Sequence, residues 1–250
     1  MSEPTTPQSG PHPPVPPNPS EPPLPAAPPP SGSLRPTRIL GWAAAVLIVL
    51  YVLADLALAV LAWSTEDVIA EYLAGDAASV APFNVAMTLT SVAGTLSFAT
   101  FIASAVVFVI WLWRARVNAE LLCRAQHTRS RGWVWGGWIC PVVLLWFPFQ
   151  IVRDVWKASH PDVAPDGYNM HLMPFTKVLG LWWAVWLFDL AVDQYIVRRD
   201  IGEQFDPLIG ANVLSFVLSA IAGGLLIRLI MQISSWQETK MSQPQLVAAY

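Results

Sequence analysis

Four charged residues stand inside stretches that are otherwise apolar: Asp55, Asp189, Asp193 and Arg228. A charge within a bilayer is costly, so each one invites a functional reading. Asp55 lies about eight residues, and Asp189 about seven, from the outer ends of their apolar stretches if residues 133–149 dip into the membrane and return. The two carboxylates then share one depth, where they could hold a proton or a cation. If residues 133–149 cross instead, the two fall at opposite depths and no shared site forms. A plainer alternative is a hydrogen bond from each carboxylate to a neighbouring helix, with Asp193 and Arg228 reaching toward water. Arg228 is not placed to neutralise Asp189. In a hairpin turning near residue 200 it sits about 20 Å deeper, and it is expected to snorkel to the interface or meet lipid headgroups.

Other chemistry is sparse. His160, Asp162, Asp166 and His171 are of types that suit a metal, but their spacing fits no standard site and the surrounding Pro and Gly read as turns. No HExxH, GxSxG or phosphate-binding glycine loop occurs, so an enzyme reading lacks a nucleophile or a metal cage. An intramembrane enzyme would have to rest on His160 and His171 alone. Cys123 and Cys140 show no paired spacing, which reads as two inert thiols. No cofactor is expected. The mild net charge of −3 points to no nucleic-acid partner.

The elements that must position these residues are membrane helices. Charged residues make up 12% of the chain and apolar ones 54%, with 13 tryptophans, too little charge to cover a soluble domain. Residues 1–36 hold 15 of the 23 prolines, and almost no large apolar side chain is there to bury. This cytoplasmic tail is expected to be disordered with polyproline II character. Its Pro13/Pro16 and Pro14/Pro17 spacing is a form that an aromatic groove can bind. The expected fold class is all-α: a polytopic transmembrane helical bundle over 37–236, behind the tail and ahead of a short polar C-terminal tail, 237–250. Spans are expected at 39–63, 84–113, 176–195 and 208–233. About 20 residues cross a bilayer core. The first apolar run is long and lies well inside the chain, which favours an uncleaved helix over a signal peptide. On the second span, Ala93, Ser97, Ala99 and Ala103 put small residues at four-residue spacing. Ser215, Ser219 and Gly223 do the same on the last, and both read as helix-packing faces. Residues 133–149 are apolar but short, with Pro141 and Pro148 inside. They form either a re-entrant or interfacial segment beside four spans, or a fifth span.

Loop charges set the orientation. The loop at 64–83 carries Glu66, Asp67, Glu71 and Asp76 and no base, whereas residues 114–132 carry Arg114, Arg116, Arg124, Arg129 and Arg131 against Glu120. Basic residues are retained on the cytoplasmic side, so the N-terminus and the arginine loop are expected inside a cell membrane and the acidic loop outside. If residues 133–149 dip, Arg153, Lys157, Arg228 and Lys240 are also inside, and only Arg198 and Arg199 are outside. That count slightly favours the dip. The arginine loop could also hold anionic lipid headgroups, although retention alone accounts for it.

The stretch from Trp111 to Trp156 carries an ordered set of residues: Trp111 and Trp113, Arg114, the pair Asn118-Ala119, then Trp138, Pro141, Leu145, Pro148 and the Asp154-x-Trp156 ending. In this it resembles an actinobacterial membrane-protein family known as domain of unknown function 4328. An excess of Arg over Lys in an Ala-rich chain is in keeping with a high-GC bacterium. The resemblance covers roughly 39–235 and implies a membrane fold with no known activity. Between the prolines the family often carries a polar residue, but Val142 to Phe147 are all apolar here, which argues against a water-facing site at that point.

Two functional classes follow. The first is a non-enzymatic membrane component whose proline-rich tail and arginine loop engage proteins or lipids. The second is a small transporter or channel using Asp55 and Asp189, with the prolines breaking the third segment as in a substrate path.

Overall fold

The computed structural model describes residues 34–198 and 206–242. The proline-rich stretch 1–33, Arg199 and residues 243–250 lie outside the described residues. What is described is helical: α1 (Arg38–Ser64), α2 (Glu66–Leu73), a 3-10 turn (Ala77–Ser79), α3 (Val80–Leu122), α4 (Trp133–Ile139), α5 (Pro141–Leu144), α6 (Phe147–Ser159), α7 (Lys177–Arg198) and α8 (Asp206–Met241). No strand occurs among the described residues.

Three of these helices are long and apolar enough to cross a membrane, over Arg38–Ser64, Ala77–Leu122 and Gly210–Met241. Their surfaces support the same reading. Trp42, Val46, Leu50 and Leu53 on α1, and Val92, Leu96, Phe98 and Ile102 on α3, are exposed, while Ser97, Asp189, Ser215, Ser219 and Gln237 are buried. Apolar groups outside and polar groups inside is the pattern of a chain whose solvent is lipid. Helix α7 has 22 residues, but Asp189 and Asp193 interrupt its apolar run.

α1 and α3 run antiparallel, joined by α2 and the 3-10 turn, in which the Asp76 side chain accepts from the Ala78 amide at 2.9 Å. Antiparallel α8 returns along α1, and α7 packs on the other side of α8. Gly223 permits the close passage of α8 over α1, since a Cβ there would lie 2.9 Å from Ile48 Cγ2. The small residues expected to pack α3 do so only in part: Ser97 is buried, whereas Ala99 is exposed.

Two helices overrun their expected ends. α3 has 43 residues, about 65 Å, more than twice a bilayer core, and continues nine residues past Trp113. Ala115, Asn118, Ala119 and Leu122 are buried there, so the extension is held by packing. α8 likewise passes 236, where a polar tail was expected to begin, and reaches Met241. Gln237 is fully buried and donates to the Ala115 carbonyl at 2.8 Å and to Ser159 Oγ at 2.9 Å. Lys240 Nζ donates to the carbonyls of Ala158 and Val163. These bonds keep the last turns of α8 helical.

Residues 133–159 form a broken hairpin. Cys140 is extended at φ −85° and ψ 115°, as a residue before proline prefers, and Pro141 starts α5. Pro148 lies in the first turn of α6, where its missing N–H leaves no helix bond unmade. Both ends of the hairpin are fastened at one end of the bundle, here called the basic end. The Thr128 amide donates to Asp154 at 2.6 Å, Arg129 Nε donates to Gln150 at 2.7 Å, and Arg153 donates to Thr128 Oγ1 at 2.8 Å. At the turn, Trp183 Nε1 donates to the Leu145 carbonyl at 3.1 Å.

Candidate functional site

The hairpin places the start of α7 at the basic end, and this decides where the carboxylates fall. Asp189 and Asp193, one turn apart on α7, meet Ser215 of α8. Its hydroxyl lies 2.7 Å from Asp193 Oδ1 and 3.4 Å from Asp189 Oδ1. One turn further along α8, Ser219 donates to Asp55 of α1 at 2.7 Å. Three acidic side chains from three helix positions thus share one level of the bundle, linked by two serines. A cavity of about 110 Å³ opens beside them, lined by Asp189 and Asp193 but not Asp55, with Tyr51, Ser219, Trp182 and Trp186. Asp189 is only 6% exposed. No Lys or Arg among the described residues forms an ion pair with any of the three.

Charge balance limits what this cluster can do. Unpaired charge buried in a low dielectric is costly, so three carboxyl groups this close call for protons or small cations to neutralise them. The serines are a weak answer, because each hydroxyl carries a single proton. The Ser215 proton is taken by the nearer Asp193, which leaves Asp189 without a short donor from that side chain. Among the described residues no group of three His, Cys, Asp or Glu side chains is arranged to hold a metal ion. The shorter list of fitting occupants begins with a proton.

Next to this cavity lies a second, of about 300 Å³ and almost wholly apolar. Ile48, Phe101, Ser104, Trp182, Trp186 and Leu226 line both, so the two share a wall. Trp138 of α4 forms the far wall, its ring edge-on to Phe108 at 5.6 Å and to Trp186 at 6.0 Å. Trp135, Trp138 and Ile139 of the hairpin therefore close one side of this apolar cavity.

The basic end is a polar weld. Asn118 pairs with the backbone of Arg35, accepting its N–H at 2.9 Å and donating to its carbonyl at 2.7 Å, and it also donates to Gln237 Oε1 at 3.1 Å. Ala119 is buried beside it. Trp111 Nε1 donates to Ser234 Oγ at 3.0 Å, just where Gly41 lets α1 approach. Arg116 is bonded to Glu120 at 3.0 Å and to the Arg129 carbonyl, and Arg131 also pairs with Glu120. Burial, reinforced by the Arg116 charge, pushes His127 down to about 4, so its ring is neutral near pH 7. Burial also pushes the Cys123 thiol up, which makes it unreactive.

The motif residues divide by role. Asn118, Ala119 and Trp156 serve the weld, with Trp156 Nε1 donating to Gln232 at 3.3 Å. Trp113 lies beside Trp135, their rings 6.3 Å apart. Trp138, Pro141 and Pro148 shape the hairpin. Asp154 is buried and tied to Thr128 and Arg153. A model of the domain of unknown function DUF4328 matches residues 74–235. The chain belongs to the DUF4328 family. The match runs from the end of α2 to the last turns of α8, and so includes the hairpin and two of the three carboxylates. Searches among curated proteins and among solved structures found no match to the chain.

The remaining sequence candidates stay apart. Arg228 is exposed on α8, about 14 Å along the helix from Ser219. In the loop 160–176, His160 lies 3.8 Å from Asp162, and the Asp166 side chain accepts from the Tyr168 amide. That loop docks on the arginine loop through Arg124 N to the Pro165 carbonyl at 2.9 Å. Tyr51 was missed at the sequence level, although its spacing four residues before Asp55 put both on one helix face.

Proposed function

We propose that this DUF4328 protein is a multi-pass membrane protein, not an enzyme, that binds and releases a proton at Asp55, Asp189 and Asp193, as a small transporter does. The observation that carries this reading is the meeting of the three carboxylates at one level of the bundle, with Ser215 and Ser219 as their close polar contacts and a cavity lined by Asp189 and Asp193 beside them. In this reading α1, α3, α7 and α8 cross the bilayer and residues 133–149 dip from the cytoplasmic side and return. The basic end then faces the cytoplasm, in keeping with the arginine loop, and the acidic α2 faces out. An actinobacterial cell membrane fits the Arg-rich composition. In reconstituted vesicles, Asp189→Asn and Asp55→Asn are expected to abolish proton flux. Wild-type flux in both variants removes the reading.

A second reading, compatible with the first, is favoured by the Arg35–Asn118 pairing. It holds Arg35 at the basic end, and in this reading the arginine loop there meets anionic headgroups while the proline-rich segment engages a cytoplasmic partner with an aromatic groove. Deleting residues 1–33 should change the proteins that co-purify; an unchanged set excludes a role for the tail.

A further inference from the structure

The apolar cavity walled by α3, α4 and α7 lies one turn of helix from the arginine loop. We infer that it holds an acyl chain of an anionic phospholipid whose phosphate meets Arg131. This rests on the reading that the arginine loop meets anionic headgroups, and adds a seat for the chain. The cavity measures about 300 Å³, at the lower end of ligand-pocket sizes, which suits a single chain. Among the described residues no charged side chain lines it, and its one hydroxyl, Ser104, is spent on the Phe101 carbonyl at 2.8 Å. A polar ligand would lose its hydrogen bonds there, whereas an alkyl chain loses nothing. The mouth faces the lipid side of the bundle: Val106, Trp135 and Ile139 line the cavity and are still 50%, 45% and 80% exposed. Helix α4 has seven residues, about 10 Å, so it walls the cavity over only a fraction of a bilayer core. A chain from the surrounding leaflet enters past Ile139, where α4 ends.

Charge specifies the headgroup. The Trp135 ring at the mouth lies 6.3 Å from that of Trp113, and the Arg131 guanidinium lies 6.0 Å from the Trp113 ring. Val134 donates to the Arg131 carbonyl at 3.1 Å, so Arg131 stands at the very start of α4. A phosphate held there has its glycerol beside the two tryptophans, the level at which such rings sit in a bilayer. Arg131 is free to meet it, with its side chain 46% exposed. Glu120 is shared by Arg116 and Arg131, one negative charge against two positive, which leaves the group in need of an anion. A zwitterionic headgroup brings its own cation and gains less from this site.

The test uses the purified full chain in detergent with phosphatidylglycerol bearing brominated acyl chains, phosphatidylcholine bearing the same chains, and inorganic phosphate. Native mass spectrometry is expected to count one tightly held phosphatidylglycerol per chain, and its bromines should quench tryptophan fluorescence saturably. Phosphatidylcholine should bind about fivefold more weakly, the effect of one base near the surface. Arg131→Gln should remove that preference, whereas Arg124→Gln, at an exposed arginine of the same loop, should keep it. Ala105→Phe on α3 and Leu226→Phe on α8 project into the cavity from two walls, and each should weaken both lipids by about tenfold. A failure to fold in one of these leaves the other to decide. Uptake of many lipids by the wild type without saturation would overturn the inference, as would wild-type affinity in a folded cavity variant. Displacement of the lipid by inorganic phosphate would also overturn it, since a bare phosphate site needs no chain. If phosphatidylglycerol is preferred through Arg131 but the cavity variants bind it normally, the headgroup contact stands and the chain site falls; if the wild type binds both lipids alike, both fall.

Discussion

Replacing Asn118 by Ala tests whether the basic end is a weld or merely a polar surface. Asn118 is fully buried and makes three hydrogen bonds: two with the Arg35 backbone, at 2.9 and 2.7 Å, and one to Gln237 at 3.1 Å. Each such bond contributes about 1 kcal/mol net. The Arg35 backbone lies near the surface, and water can replace what it loses. Gln237 Oε1 is buried, and leaving it unpaired adds about 1 kcal/mol or somewhat more. The expected loss is therefore roughly 3–4 kcal/mol, on the order of 10 °C in the thermal midpoint for a chain of this size. Thermal unfolding in detergent micelles, followed by tryptophan fluorescence, reads it directly. A second reading comes from Asn118→Asp, which keeps the acceptor for the Arg35 N–H but loses both donors and places a negative charge against Gln237 Oε1. It should be no more stable than the alanine variant. A loss below about 1 kcal/mol in Asn118→Ala would mean that the hydrogen bonds seen are replaced by water at no cost, and the weld would be refuted.

Three further outcomes are expected. Gly223→Leu should cost about 2–3 kcal/mol by forcing α8 away from Ile48 and Val52, and thermal unfolding will show it; an unchanged midpoint denies the close approach. Gly167→Ala combines a φ of +76° with a Cβ only 2.5 Å from the Ala125 amide nitrogen, so the loop 160–176 should leave the arginine loop and become sensitive to limited proteolysis. His127, held down to about 4 against an unfolded value near 6.5, stays neutral in the fold while the unfolded chain takes up a proton. Stability should therefore be highest above about pH 6.5 and fall by up to about 3 kcal/mol as pH drops toward 4, a slope that His127→Gln should flatten.

The sequence made the helices legible because a bilayer demands long apolar runs, and α1 and α3 were placed to within a few residues where packing did not extend them. It also posed the question that mattered: whether residues 133–149 dip, and hence whether Asp55 and Asp189 share a level. Pro141 and Pro148 marked the break, but the fastening of Thr128 to Asp154 across the hairpin is a tertiary contact that no periodicity encodes. Ser215 and Ser219 were visible as a small-residue stripe. Their second role, as donors to Asp193 and Asp55, depended on the rotation of α8 about its axis, which is set by Gly223 passing over Ile48. The ends of α3 and α8 were misplaced because Asn118, Gln237 and Lys240 look like interface residues by type. Only their burial against one another shows that they continue the bundle.

Infrared spectroscopy of the chain in lipid, following the C=O stretch of protonated carboxyl groups through a pH titration, tests the carboxylate site most directly. The expected result is a band in the wild type that diminishes in Asp189→Asn, in Asp193→Asn and in Asp55→Asn, and that is untouched in Asp67→Asn. Absence of any such band across the titration, or its equal loss in Asp67→Asn, would contradict a shared proton site at the meeting of α1, α7 and α8.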